Sequence, residues 1–124
     1  MLTFGDLILA HLIGDYILQD DWMAANKRKS HLACLAHVTL YTLSIVCIAQ
    51  LSAPAGLPLW AYAFTAVTHY AIDRYGLARR WMSLVHQDGF ATNLGPWSVI
   101  IVDNTIHLFL LWAVFKIHEA GVFS

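Results

Sequence analysis

The sequence predicts an all-α fold: an integral membrane bundle of four transmembrane helices, with a short interfacial helix between helices three and four. Of its 124 residues, 59% are hydrophobic and 12% are charged, whereas a soluble domain carries about 25% charged residues. Residues 30–72 contain no Asp, Glu, Lys or Arg, and residues 89–115 contain only Asp103. A chain of 124 residues suffices for one domain, which we assign to residues 1–124.

The composition also excludes two other classes of protein. Disordered chains are poor in apolar residues and rich in charge, which is the reverse of this composition. Seven Lys and Arg residues against eight Asp and Glu residues give a formal net charge of −1. The chain therefore has no basic stripe for a nucleic acid, and we expect no nucleic-acid partner.

Four apolar segments have about the 20 residues that a membrane helix needs. Residues 52–58, which contain two prolines and a glycine, separate the second segment from the third because such residues end helices. The first segment is the least apolar because it contains Asp6 and Asp15, so it needs partners inside a bundle. A signal peptide is its alternative interpretation, but no basic residues precede the apolar run. The predicted spans are residues 2–20, 32–51, 58–76 and 96–117.

The basic residues predict the orientation of the four spans. Six of the seven Lys and Arg residues lie at or near the connections 21–31 and 77–95. By the positive-inside rule these loops are cytoplasmic and both termini lie outside, in a bacterial inner (plasma) membrane. Within residues 77–88, apolar side chains at helical spacing predict a short helix on the cytoplasmic membrane surface. We interpret Lys27, at this end of the first span, as a solvated residue.

Histidine and aspartate recur at a spacing of four residues in three of the spans. This spacing places both side chains of a pair on one face of a helix, one turn apart. The second span contributes His37, with Tyr41 four residues further on. The three pairs are His11 and Asp15, His69 and Asp73, and Asp103 and His107.

These side chains predict a metal site in the cytoplasmic half of the bilayer. At 1.5 Å per residue they occupy overlapping depths in the four spans. An ionised Asp costs about 2.5–3.5 kcal/mol at mid-span, and a divalent cation compensates that charge while it accepts imidazole nitrogen as a ligand. The alternative is that the pairs form local hydrogen bonds or link neighbouring helices. We expect one or two ions of zinc, manganese or iron, and the predicted ligands are His11, Asp15, His37, His69, Asp73, Asp103 and His107.

Three motifs resemble those of a known family. The segments 11–19 (HLIGDYILQ), 68–73 (THYAID) and 103–107 (DNTIH) are similar to motifs of the domain-of-unknown-function family 3307. The members of that family are small phage and bacterial membrane proteins. In that pattern Gln more often replaces Asn104, and Ser or Thr more often replaces Asp20. The resemblance implies a membrane protein without an established activity. More distantly, the placement of His and Asp on membrane helices resembles that in the inner-membrane metal-dependent hydrolases of bacteria.

Two classes of function remain open at this point, and a third explains less. A metal-dependent hydrolase would activate water beside a membrane lipid or lipid-linked substrate; its catalytic residues are not identified by any motif. A divalent-cation carrier or sensor would bind the same ion without catalysis, and as a transporter four short spans would require a homodimer. A structural phage membrane protein would leave the intramembrane Asp and His residues unexplained.

Overall fold

The computed structural model describes residues 1–123 and contains only helices and their connections in that range. The predicted all-α class is confirmed. Two helices, His31–Ser52 and Pro96–Glu119, are long and apolar enough to cross a membrane. The elements are α1 (Phe4–Leu12), a π-helical segment (Ile13–Ile17), α2 (Asp21–Asn26), α3 (His31–Ser52), α4 (Leu59–Tyr75), α5 (Leu77–Leu84), α6 (Asp88–Leu94) and α7 (Pro96–Glu119).

Four helical segments pack side by side: α1 with the π-helical segment, α3, α4 and α7. α3 lies against both α1 and α4, and α7 lies against α4 and α1. One half of the interior is apolar, because each segment contributes small or branched side chains from the same end of the molecule. Members of this core are Leu7, Ile45, Ala49, Ala61, Leu111 and Val114.

The two basic connections lie at one end of the helices and the described chain ends lie at the other. At the basic end, the Arg74 guanidinium donates to the carbonyl oxygen of Arg28 at 2.6 Å. At the opposite end, the Met1 ammonium lies 3.3 Å from the carbonyl oxygen of Ser52. The rings of Trp60 and Phe123 also meet there, with centroids 5.5 Å apart. Neighbouring segments therefore run in alternating directions.

Side-chain caps define where several of these helices begin. Thr3 and Asp6 form a reciprocal capping box at the start of α1. The carboxylate of Asp20 accepts from the backbone N–H of Met23 and so caps α2. Ser30 caps α3 in the same way. The short α2 thus returns the chain to α3 at the basic end.

The connection between α4 and α7 differs from the single interfacial helix predicted for residues 77–88. It contains two short helices, and α5 ends because His86 adopts a left-handed backbone conformation (φ 61°). The second, α6, falls in a segment for which no helix was predicted. Both pack against α7, and α5 buries Met82 while Leu84 remains 73% exposed.

Candidate metal centre

Close packing of the first helical segment on α3 positions Asp15. A Cβ added at Gly14 would lie 2.7 Å from Cδ2 of Tyr41 and 3.0 Å from its Cα, so only glycine fits here. The Ser44 hydroxyl lies 2.8 Å from the carbonyl oxygen of Ala10 and links the same two helices. Asp15 itself belongs to the π-helical segment, a local widening that is frequent at functional sites.

Four buried ligand atoms converge where α4 and α3 face this segment. The Nε2 atoms of His37 and His69 are 3.0 Å apart. Nε2 of His37 lies 3.0 Å from Asp73 Oδ2 and 3.3 Å from Asp15 Oδ1. Nε2 of His69 lies 3.3 Å from both of these oxygens. A tetrahedral ion with bonds of 2.0 Å has ligand–ligand edges of about 3.3 Å, so the two imidazoles have the spacing to share an ion with a carboxylate oxygen.

His107 adds a fifth ligand atom on the other oxygen of Asp73. Its Nδ1 lies 2.9 Å from the carbonyl oxygen of Asp103 and therefore donates its proton there. In the neutral ring Nε2 then carries a lone pair, and it lies 3.5 Å from Asp73 Oδ1. Asp73 thus presents Oδ2 to the pair His37 and His69 and Oδ1 to His107.

Buried polar atoms without a hydrogen-bond partner supply the test of whether a metal fits. Asp15 Oδ1 lies 3.3 Å from the Nε2 atoms of His37 and His69 but without hydrogen-bond geometry. His107 Nε2 also has no hydrogen-bond partner among the described residues, although buried polar groups are normally satisfied. Both are lone-pair acceptors that face the cluster, so a cation would satisfy them directly. Two groups of three residues have the spacing to hold an ion: Asp15 with His37 and His69, and His69 with Asp73 and His107.

A cavity of about 320 Å³, here called the site cavity, opens beside the carboxylates. Asp15, Asp73 and Asp103 lie along it on the side of the cluster. Basic side chains of the connecting segments complete its wall: Lys27, Arg28 and Arg79. The candidate ligands are therefore reachable from the basic end of the molecule.

The family model for a protein of unknown function, DUF3307, matches residues 3–122. The chain belongs to the DUF3307 family. The resemblance seen in the three sequence motifs is thereby confirmed. No curated protein and no solved structure matches the chain.

In this DUF3307 chain five of the seven predicted ligands meet: Asp15, His37, His69, Asp73 and His107. His11 is also buried nearby, but both of its ring nitrogens have other partners. Nε2 donates to Asn104 Oδ1 at 2.7 Å, so the unprotonated Nδ1 accepts from the Tyr41 hydroxyl at 3.0 Å. His11 Nε2 lies 3.5 Å from Asp15 Oδ2. The structure therefore places His11 beside the cluster.

Asp103, the remaining predicted ligand, lies at the edge of the site cavity. Its carboxylate Oδ2 is 3.4 Å from Nδ1 of His107, and its side chain is 27% exposed. Its carbonyl oxygen fixes the tautomer of His107, which is the usual way in which a metal-binding histidine is oriented. Its carboxylate is free to contact a molecule in the cavity.

Lys27 reaches into the cluster, contrary to its interpretation as a solvated residue. Its Nζ donates to Asp73 Oδ2 at 2.7 Å. Burial disfavours the ammonium charge, but the adjacent Asp73 carboxylate outweighs this effect and raises the pKa of Lys27. The ammonium thus balances one of the two buried carboxylates.

Two further residues were missed as parts of the site. Tyr41 stacks on the ring of His69, with centroids 3.7 Å apart, and its hydroxyl forms a hydrogen bond with His11. Its spacing of four residues from His37 was the available signal, because both then lie on one face of α3. Asn104 holds His11 and also contacts the hydroxyl of Tyr16. The sequence pattern gave Asn104 no role of its own, since its partners lie on another helix.

Proposed function

We propose that this DUF3307 chain is a membrane-embedded, metal-dependent hydrolase with its site in the cytoplasmic half of the bilayer. The single observation that carries the proposal is the convergence of the buried His37 and His69 imidazoles with the carboxylates of Asp15 and Asp73. The lone pair of His107, directed at Asp73, extends the same arrangement.

The distribution of polar and apolar side chains supports membrane embedding. Large apolar side chains are exposed along the helices, including Ile17 (75%), Leu32 (69%) and Val67 (68%). The buried positions include His, Asp, Ser and Thr residues. Soluble monomers rarely expose such continuous apolar surface, whereas intramembrane ionisable residues normally face the interior of a bundle. We therefore assign all four helical segments to the bilayer.

The lengths of the shorter segments are compatible with that assignment. α4 has 17 residues, or about 25 Å at 1.5 Å per residue, which is at the lower limit for a spanning helix. The first segment is shorter still and contains Asp15, so it depends on packing against α3. Because the basic connections share one end, we place that end in the cytoplasm and both termini outside the bacterial inner membrane.

The residues of the cluster suit a zinc, manganese or iron ion, since imidazole and carboxylate are ligands for all three. A bound divalent ion supplies Lewis acidity and lowers the pKa of water toward neutrality. His37, His69, Asp15 and Asp73 would hold one ion. His107 and the second oxygen of Asp73 would hold another. Asp103, exposed to the cavity, is placed to accept a proton from water as a general base.

The alternative function is a divalent-cation carrier that uses the same ligands. A carrier must open its site alternately to both membrane faces. In the described part of the chain, the site cavity leads to the basic end, while apolar side chains fill the interior toward the other end. This one-sided access favours a retained ion and hydrolysis.

Metal analysis of the detergent-purified protein tests the site. We expect one or two divalent ions per chain in the wild-type protein and none in Asp73→Asn, because Asp73 belongs to both halves of the cluster. His118→Gln, which changes a histidine outside the cluster, is the matched control and should retain the metal. Wild-type protein that holds no metal after chelator-free purification, and none on reloading, would sink the proposal. Protonated histidines would then be the partners of the carboxylates.

Proteoliposomes separate the hydrolase from the carrier. The proposal expects hydrolysis of a lipid, phosphoester or amide substrate that Asp73→Asn abolishes, with no metal flux across the liposome wall. Flux that disappears in Asp73→Asn, together with no hydrolysis of any substrate offered, would decide for the carrier.

A further inference from the structure

We propose that the site cavity binds a phosphoryl group, so that the substrate of the proposed hydrolase is a phosphoester. This inference rests on the proposed function, because it assigns a substrate class to the same site. The observation behind it is a cavity lined both by the ligand carboxylates and by basic side chains. A metal ion and guanidinium groups that line one cavity are suited to bind the oxygens of a single phosphoryl group.

Of the three basic residues in the cavity wall, Arg28 and Arg79 have no carboxylate partner among the described residues. Lys27, the third cation of the wall, is already paired with Asp73. Within residues 1–123, neither guanidinium forms an ion pair with a carboxylate. Two unpaired guanidiniums beside a cavity attract a phosphate dianion more strongly than a singly charged carboxylate, because the dianion carries twice the charge. Arg also binds phosphate oxygens through two parallel hydrogen bonds.

Gly76 places the Arg28 guanidinium at the cavity wall. A Cβ added at Gly76 would lie 2.8 Å from Cζ and 2.9 Å from Nε of Arg28. Gly76 also has a φ of +59°, which favours glycine. The backbone of Arg28 is held in turn by Arg74, which donates to its carbonyl oxygen. Arg28 is therefore positioned by close backbone contacts.

The rest of the cavity wall includes apolar side chains, as expected for a site that binds a lipid-linked phosphoester. Ile72, Val99 and Ile100 line the cavity next to the charged groups, and Ile100 is 49% exposed on the outer side of α7. An acyl or prenyl chain would follow this apolar side while its phosphoryl group reaches the cluster. Water-soluble phosphoesters have the same phosphoryl group but no lipid chain to contact these apolar side chains.

The implied reaction is hydrolysis with water as the only co-reactant. The oxygen of water forms a bond to phosphorus while the ester phosphorus–oxygen bond breaks. Asp103 accepts one proton of the water, and a proton returns to the leaving alcohol oxygen. The products are an alcohol and a phosphate with one ester bond fewer.

Binding to defined probes in detergent tests the inference. The probes are phosphatidic acid, its neutral counterpart diacylglycerol, and inorganic phosphate. We expect the metal-loaded wild-type protein to bind phosphatidic acid more tightly than diacylglycerol. The double variant Arg28→Gln/Arg79→Gln should bind it roughly tenfold more weakly or worse, as expected for lost hydrogen bonds to a charged group. Its metal content should equal that of the wild type, because neither arginine belongs to the cluster.

The control variant is Lys29→Gln/Arg80→Gln, which removes two basic residues of the same connections that do not line the cavity. It should bind phosphatidic acid as the wild type does. If the control variant lost as much binding of phosphatidic acid, the lipid would be held by a diffuse basic surface, and the inference would be overturned. Comparable, arginine-dependent binding of inorganic phosphate would support a free phosphoester, whereas binding of the lipid alone would support a lipid-linked one.

Metal content distinguishes the failure of this inference from that of the proposed function. Metal-loaded protein that does not distinguish phosphatidic acid from diacylglycerol would overturn the phosphoryl assignment and leave the hydrolase proposal in place. Protein that holds no metal would overturn the hydrolase and, with it, the assignment of a substrate.

Discussion

The Nε2 atom of His107 lies 3.5 Å from Oδ1 of Asp73, and the proton of that imidazole is on the other nitrogen. In the neutral ring a lone pair therefore faces a carboxylate oxygen in a buried position. In that neutral ring the juxtaposition is repulsive without a cation, and no donor of the described residues satisfies His107 Nε2. The contact makes the metal hypothesis specific, because it assigns a separate part of the cluster to His107.

The first prediction separates the two parts of the cluster by metal stoichiometry. His107→Gln is expected to retain one ion per chain, because His37, His69 and the carboxylates of Asp15 and Asp73 remain. His37→Gln should lose at least tenfold in affinity for that ion, since a ligand to it is removed. Elemental analysis after equilibrium dialysis measures both. Complete loss of metal in His107→Gln, with His37→Gln unaffected, would contradict this assignment.

The sequence predicted the members of the site better than their roles. The spacing of four residues correctly places Asp73 beside His69, because both lie within one regular helix. It did not predict that His11 would be engaged by Asn104, since that bond joins residues on different helices. The π-helical turn at Asp15 has no signature in the apolar pattern. For the same reason Lys27 was taken for a solvated residue: its ion pair with Asp73 exists only once α2 folds back against the helices.

A second prediction concerns the glycine beside Asp15. Gly14→Ala should destabilise the protein by about 1–3 kcal/mol, the usual cost of overpacking, because its Cβ would meet the backbone of Tyr41 at 3.0 Å. Gly5→Ala is the matched control, since a Cβ there meets only the Thr3 hydroxyl at 3.5 Å. Thermal unfolding in detergent compares the two variants. Equal midpoints for both would show that Gly14 is not a close-packing residue.

A third prediction concerns orientation in the membrane. In a background without Cys34 and Cys47, Arg28→Cys should react with a membrane-impermeant thiol reagent only after intact cells are opened. Val122→Cys should react in intact cells, because it lies at the opposite end of the helices. The positive-inside rule is the physical reason for this polarity. Labelling of position 28 from outside would reverse the proposed topology.

The last prediction concerns Lys27, whose ammonium and a metal ion compensate the same carboxylate. In metal-free protein the Lys27 ammonium contacts Asp73 at 2.7 Å, so Lys27→Gln removes a permanent positive charge from beside that buried carboxylate. Because the lysine side chain is 19% exposed, we expect a loss of about 1–3 kcal/mol, less than for a fully buried pair. With metal bound, the ion supplies the missing charge and the loss should be much smaller. Unfolding of Lys27→Gln and wild type, each with chelator and with added metal, measures the difference, and Lys29→Gln controls for the loss of a basic residue in the same connection. If Lys27→Gln destabilised both forms equally, the ion and the ammonium would not share Asp73, and the metal would have to lie elsewhere.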